Sequence, residues 1–362
     1  MRLKKGHFTS VLLKWHKGKN FRKMPWKGEK DPYRIWLSEV ILQQTRVDQG
    51  WAYYEKFLTA FPTVHDLACA PEQKVFKLWE GLGYYNRCRN LMATAKKIDL
   101  DYQGRFPSTY EEILALKGIG PYTAAAIASF AFNLPYAVVD GNVTRVLSRY
   151  FGISTPIDTT AGKKEFTEMA DALLDKEQAG IYNQAIMDFG ATVCTPRNPL
   201  CTSCVQQKDC QAWQNGWTGR LPVKEKSIRK KQRCLYYFIV ETPGDQVYIL
   251  QRTGKDIWEG LYEFVLFETN DPVWPADLLR SDFALQLFDR QSLTVPYISS
   301  VYRQELSHQS LQGQFITIRL KKSLPALKKD YLLVPKSQLG EYAFPKFINA
   351  WLQDPTPAQS LF

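Results

Sequence analysis

Four cysteines within seventeen residues, Cys194-x6-Cys201-x2-Cys204-x5-Cys210, constrain this chain more than any other feature. Four thiolates in so short a loop can wrap one metal centre, and the tight Cys-x2-Cys pair supplies adjacent ligands. Spacing alone fits an iron–sulfur cluster and a four-thiolate zinc equally well. Cys69, Cys88 and Cys234 are scattered, as free thiols in a reducing compartment are. That distribution opposes a disulfide framework and places a metal loop after a helix ending near Phe189.

Upstream of the loop the pattern is helical. Apolar residues at three- and four-residue spacing predict helices over Pro32–Gln49, Pro71–Trp79, Asn86–Lys97, Thr109–Leu116, Tyr122–Ala131, Val143–Tyr150 and Lys163–Leu174. Gly and Pro punctuate them. The segment Trp217–Gln232, with Lys224, Lys226, Arg229, Lys230 and Lys231, reads as a basic linker. Beyond it strands are predicted over Leu235–Glu241, Val247–Gln251, Leu261–Phe267, Tyr297–Leu306, Phe315–Lys321 and Tyr331–Val334, with helices over Pro275–Phe288 and Phe344–Leu352. A chain of 362 residues exceeds one ordinary compact domain. The expected organisation is an all-α domain over 1–216, a linker over 217–232 and an α+β domain over 233–362.

Charge suggests a partner without naming it. The net charge is +11, and Met1–Lys30 holds ten Lys/Arg against the single acid Glu29. Phe8, Trp15, His16, Phe21 and Trp26 interleave with these cations. Such a stretch suits a phosphate backbone, and a solvated basic tail would look the same. No apolar run reaches the roughly 18 residues of a membrane span, and the basic start lacks a signal peptide's apolar core. A soluble, cytoplasmic, monomeric protein without a membrane partner is expected.

The run Leu116-Lys-Gly-Ile-Gly-Pro-Tyr-Thr-Ala124 joins two predicted helices. Gly118 and Gly120 permit a tight turn that exposes backbone N–H groups beside a helix N-terminus, a site for a phosphate. Glycines that only allow two helices to pack closely are the alternative at this point.

With Asp31-Pro-Tyr-Arg-Ile-Trp-Leu-Ser-Glu-Val-Ile-Leu-Gln-Gln-Thr-Arg46, Gly81-Leu-Gly-Tyr-Tyr85 and Val138-Val-Asp-Gly-Asn142, these motifs resemble adenine DNA glycosylases of the MutY type. That family lies in the helix-hairpin-helix superfamily that includes endonuclease III. The resemblance spans essentially the whole chain. It implies a helix-hairpin-helix glycosylase domain with one [4Fe-4S] cluster on Cys194, Cys201, Cys204 and Cys210. It implies a second domain of MutT-like (Nudix) fold, carried here by Trp258-Glu-Gly-Leu-Tyr-Glu-Phe264. The substrate so implied is double-stranded DNA containing adenine opposite 8-oxoguanine or guanine. An endonuclease III-like glycosylase/lyase and a non-catalytic DNA-binding iron–sulfur protein are the rival readings.

The residues carry their own logic. Glu39 shares a helix face with Ile35 and Leu42, surroundings that raise a carboxyl pKa and suit a general acid. Asp140 follows an apolar run and begins a helix, so an N-cap accounts for it locally. By resemblance it instead faces the sugar as the base departs, while Asn142 and Tyr122 orient the site. Tyr122 stands where lyase relatives carry a Schiff-base lysine, which implies a monofunctional reaction. Thr144 occupies the place of another lysine found in some relatives. The resemblance assigns Gln44 and Tyr84 to the opened base stack, Thr45 to DNA contact, and Arg22, Met24, Trp26 and Gln184 to the adenine pocket. Lys27 replaces an arginine common after Pro-Trp. In the second domain no Arg-Glu…Glu-Glu cluster follows the Trp258 motif, so recognition is expected and hydrolysis is not. Leu306-Ser307-His308 matches a Phe-Ser-His loop that inspects 8-oxoguanine, with leucine removing the aromatic ring.

Overall fold

The computed structural model describes residues 2–225, 230–288, 294–321 and 330–354. The chain forms two compact units, Met1–Cys69 with Asn90–Ser227, and Ala70–Arg89 with Ile228–Phe362.

In chain order the first twelve helices are α1 (Arg2–Lys19), α2 (Pro32–Leu42), α3 (Val47–Ala60), α4 (Val64–Ala68), α5 (Glu72–Trp79), α6 (Tyr85–Asp101), α7 (Tyr110–Leu114), α8 (Pro121–Phe132), α9 (Gly141–Phe151), α10 (Thr160–Leu173), α11 (Ala179–Thr192) and α12 (Gln211–Gln214). Helix α1 corrects the reading of the N-terminus as a basic tail. Phe8 and Leu12 are fully buried, Leu13 and Trp15 nearly so, and the helix packs on α11 and α10. Removing a side chain such as Phe8 from water contributes about 2 kcal/mol, so the basic residues ride on a packed helix.

The predicted helix over Pro32–Gln49 is interrupted. Helix α2 stops at Leu42, Gln44 adopts φ 59°, and α3 starts at Val47. Gln43 Nε2 donates to Thr123 Oγ1 on α8 at 3.3 Å, so a tertiary contact replaces the next helical turn. Helix α8 is alanine-rich and buried, and these small side chains let α2 lie close against it.

The α7–α8 turn forms where the glycines predict it. Gly118 has φ 79°, and a Cβ there would sit 2.6 Å from Asn90 Cβ, so only glycine fits. Thr94 Oγ1 donates to the Lys117 carbonyl at 2.8 Å and fixes the turn from α6. Gly118 and Gly120 remain exposed while Ile119 is buried beneath them.

Part of the stretch predicted as a linker is packed. The Ile157 N–H donates to the Val223 carbonyl at 3.0 Å, Arg149 Nε donates to the Leu221 carbonyl at 3.0 Å, and Leu221 is buried. Lys226 and Arg229 lie outside the described residues.

The second unit holds one sheet of β1 (Lys231–Thr242), β2 (Gln246–Gln251), β3 (Tyr262–Glu263), β4 (Val265–Thr269), β5 (Thr294–Ile298), β6 (Tyr302–Glu305), β7 (Gln309–Arg319) and β8 (Leu332–Pro335). Strands β1 and β7 run parallel at its centre with Tyr237 opposite Phe315, and these rings stack 5.4 Å apart. The run predicted over Leu261–Phe267 is two strands with different partners, β3 on β2 and β4 on β1. The run predicted over Tyr297–Leu306 is likewise split into β5 and β6, both antiparallel to β7. Helices α13 (Pro275–Leu278), α14 (Asp282–Phe288) and α15 (Lys346–Leu352) complete the unit. Helix α5 belongs here too: Lys77 Nζ donates to the Tyr342 carbonyl at 3.0 Å and the Phe344 N–H donates to Glu80 Oε1 at 2.8 Å.

Candidate active site

A cavity of about 480 Å3 opens in the first unit, and Glu39, Tyr122, Asp140 and Asn142 all line it. Three local features place them. Glu39 lies on the cavity side of α2, whose N-terminus is set by Pro32 and by Asp31 accepting from the Tyr33 N–H at 2.9 Å. Tyr122 stands in the first turn of α8, directly after the glycine turn. Asp140 is the N-cap of α9, with Oδ1 accepting from the Val143 N–H at 2.7 Å.

The two carboxyls have different surroundings. Glu39 is 6% exposed, and burial pushes its carboxyl up to about 7, with a hydrogen bond from Tyr122 opposing and the Asp140 charge adding to the rise. Burial also raises Asp140, but the Val143 N–H, the Asn142 side chain and Arg145 all favour its charged form. The Asn142 Nδ2 donates to Asp140 Oδ2 at 2.7 Å, and its Oδ1 accepts from Arg145 Nη2 at 2.9 Å. N-cap and candidate catalytic carboxylate are thus the same side chain, because its two oxygens divide the work.

Arg145 was not singled out from sequence. It donates to the carbonyls of Gly190 at 2.6 Å and Cys194 at 2.7 Å, tying Asn142 to the end of α11 and the cysteine loop. Gly190 permits this, since a Cβ there would stand 2.7 Å from Asn142 Cβ. Next to it Arg149, 3% exposed, donates to Cys194 Sγ at 3.5 Å and to the Thr195 carbonyl at 2.7 Å.

Cys194, Cys201, Cys204 and Cys210 are half-buried free thiols that converge: Cys194 lies within electrostatic range of each of the other three. Four soft thiolate donors from one loop suit a thiolate-bound metal centre, either a single zinc or an iron–sulfur cluster.

Of the residues predicted for the base pocket, Arg22, Met24, Trp26 and Gln184 line the cavity, and Gln44 and Thr45 join them. Trp26 is also a packing residue, 5.4 Å edge-on to Tyr54. Asp188, missed in the sequence, is wholly buried beside them and pairs with Arg22 at 2.9 Å. Tyr84, Ser307 and His308 belong to the second unit. Tyr84 is exposed at φ 47°, its ring lies 5.4 Å from the Arg87 guanidinium, and its hydroxyl hydrogen-bonds Ser307. Ser307 and His308 are exposed in the turn between β6 and β7.

The raised Glu39 carboxyl has a measurable cost. As pH climbs past the ordinary value near 4.5, the unfolded chain loses this proton first, so native stability falls until about pH 7. Glu39→Gln should therefore be more stable than wild type at pH 8 by about 2 kcal/mol, a gap that narrows toward pH 4. Urea denaturation at the two pH values checks this; a less stable variant at pH 8 would contradict the burial argument.

Residues 37–171 match the HhH-GPD superfamily of base excision DNA repair proteins, and residues 236–354 match the NUDIX domain. The adenine DNA glycosylase of Buchnera aphidicola subsp. Baizongia pistaciae is 34% identical over 260 residues, covering 72% of this chain and 74% of the relative. The adenine DNA glycosylase of Mus musculus is 41% identical over 253 residues, covering 66% of this chain and 49% of the relative. A thermostable thymine-DNA glycosylase structure superposes with a TM-score of 0.54 at 32% identity, over 58% of this chain and 97% of that one. An endonuclease III–DNA complex shares the fold, with a TM-score of 0.51 at 20% identity, over 60% of this chain and 98% of that one. With a relative covered over 74% of its length at 34% identity and both domain models matched, the chain belongs to the adenine DNA glycosylase family.

Proposed function

We propose that this chain is a monofunctional glycosylase that removes adenine paired with 8-oxoguanine, or with guanine, in duplex DNA. The observation that carries the reading is a buried carboxyl with its pKa pushed up to about 7 sharing one cavity with an aspartate whose burial is opposed by the Val143 N–H, the Asn142 side chain and Arg145. Adenine leaves poorly unless a ring nitrogen is protonated, and Glu39 is protonated near neutral pH to supply that proton. As the C1′–N9 bond breaks, its electron pair goes to the base and positive charge develops on the sugar. Asp140 is the anion that faces this charge, aimed by Asn142. Water then adds at C1′ and gives its proton to the Glu39 carboxylate, which restores the acid. Tyr122 offers a hydroxyl to Glu39 and no amine, so no Schiff base forms and the strand stays intact.

A base reaches such a cavity only by leaving the stack. The exposed glycines Gly118 and Gly120 suit a phosphate at the α8 N-terminus. Gln44, with Thr45 beside it, stands in a turn of the first unit and Tyr84 in a turn of the second, and each side chain suits a wedge into an opened stack. Cys194, Cys201, Cys204 and Cys210 would hold a [4Fe-4S] cluster. When bound it supplies a structural crosslink for the loop on which Arg145 and Arg149 converge. Adenine is a normal base, so the error must be read from its partner. 8-Oxoguanine presents an N7–H donor and an O8 acceptor where guanine presents only the N7 acceptor. The Ser307 hydroxyl donates and accepts, and with His308 it can address that edge.

Single-turnover adenine release from an 8-oxoguanine:adenine duplex tests the reaction. Glu39→Gln and Asp140→Asn should bind the duplex yet lose release by about a thousandfold or more, and product strands should stay uncut until treated with alkali. Release by the wild type should decline above about pH 7 as Glu39 ionises. Near-normal release by either variant, or efficient strand cleavage, would overturn the assignment.

Two further measurements address the parts. Anaerobically purified protein should be brown and contain about four irons per chain with little zinc; colourless protein with one zinc would favour the rival metal. Changing Ser307 and His308 together to Ala should shrink the preference for 8-oxoguanine over guanine as partner while basal release survives, since both carboxyls lie in the other unit. Full retention of the preference would remove this turn from lesion reading.

A further inference from the structure

Beside the cavity sits a carboxylate that the chemistry above does not use. Asp188 on α11 is 0% exposed and accepts from four side chains: Asn20 Nδ2 at 2.7 Å, Arg22 Nη1 at 2.9 Å, Gln184 Nε2 at 3.0 Å and Lys27 Nζ at 3.2 Å. Unpaired, it would be among the costliest groups in the unit. Arg22, Lys27 and Gln184 all line the cavity, so this single buried anion orients three of the groups a flipped base would meet.

The amide of Gln184 is the informative partner. Gln184 lies one turn before Asp188, which places the two side chains on one face of α11. A carboxylate flanked by two cations acts as an acceptor, so Gln184 must present its NH2 to it. The amide then has Oε1 left over, and no described residue donates to that oxygen. The same logic fixes Asn20 independently: its Nδ2 faces Asp188, and its Oδ1 accepts from the Arg22 N–H at 3.2 Å. Asp188 therefore leaves an acceptor at Gln184 and draws the cationic donors of Arg22 and Lys27 toward itself.

Purines differ at the corresponding edge. A 6-amino group donates a hydrogen bond, whereas a 6-oxo group accepts one. We propose that Asp188 is a specificity-positioning residue that locks the Gln184 amide with its oxygen available to the cavity, so that the site takes a 6-aminopurine and rejects a 6-oxopurine. This rests on the reading of the cavity as the seat of the flipped base. Asparagine at position 188 could meet either end of the amide, and Gln184 would be free to turn over.

The test compares single-turnover release of adenine and of hypoxanthine, its 6-oxo counterpart, from otherwise identical duplexes opposite 8-oxoguanine, using the full-length protein. Asp188→Asn should lower the adenine-to-hypoxanthine rate ratio by about tenfold or more. Gln184→Leu, which keeps the buried charge network on Arg22, Lys27 and Asn20, should flatten the ratio as well. In the Gln184→Leu background, Asp188→Asn should leave the ratio unchanged, because the amide through which it acts is gone. Equal losses on both bases in Asp188→Asn would show a purely structural role and overturn the inference. Should that variant not fold, a preserved ratio in Gln184→Leu would overturn it instead. Failure of the wild type to release adenine would sink the glycosylase reading itself, an outcome separate from both.

Discussion

Glu39 is held out of water on α2 with Tyr122, in the first turn of α8, donating to its carboxyl, and burial there keeps its proton close to neutral pH. Much of the helical unit is arranged around this one desolvation. Helix α8 is built of small residues so that it can lie against α2, and the glycine turn before it delivers Tyr122 to the carboxyl. The second carboxyl could not stay charged at such close quarters without help. Asp140 obtains it from the amide groups of a helix N-terminus, from Asn142 and from the buried Arg145.

The cysteine loop enters the same arrangement through two arginines. Arg145 reaches the Asn142 side chain, the Gly190 carbonyl and the Cys194 carbonyl, and Arg149 carries Cys194, Thr195 and Leu221 on one guanidinium. Arginine suits this task because its donors sit in a rigid fork. A loop poor in apolar residues is thereby anchored by hydrogen bonds where packing alone could not hold it. Position 142 and position 194 are in effect neighbours through a single side chain.

Much of this was legible in the sequence, and what was hidden has physical causes. The helices from α5 to α10 follow from apolar period, of α11 only the end near Phe189 was read, and the glycine turn and cysteine loop announce themselves. Helix α1 is obscured because Phe8, Leu12 and Trp15 are diluted by cations along the same stretch. The break at Gln44 is hidden because the apolar period runs straight across it into Val47. Glu39 could be placed by its neighbours, while Asp188 carried a signal that went unread: an acid between Met187 and Phe189 on an otherwise apolar helix. A charge there is tolerated only when partners arrive from elsewhere in the chain, here from Asn20, Arg22 and Lys27. Sequence-local reasoning has no access to them. Arg145 is similar, since its partners lie 45 and 49 residues downstream.

The left-handed backbone at Gln44 and Tyr84 bears on the DNA contacts proposed for them. Such a conformation costs roughly 1–2 kcal/mol in a residue with a side chain, and neither turn would hold it as a free peptide. The flanking helices α2 and α3, and the hydrogen bonds of Trp79 Nε1 to the Gly83 carbonyl and of the Gly81 N–H to the Tyr85 hydroxyl, hold the two turns in place. The entropy of shaping these tips is lost once, when the chain folds, and not again at each meeting with a duplex. On the proposed reading of these residues, the two turns would meet a duplex already shaped, and entering the stack would cost little more than the DNA's own deformation.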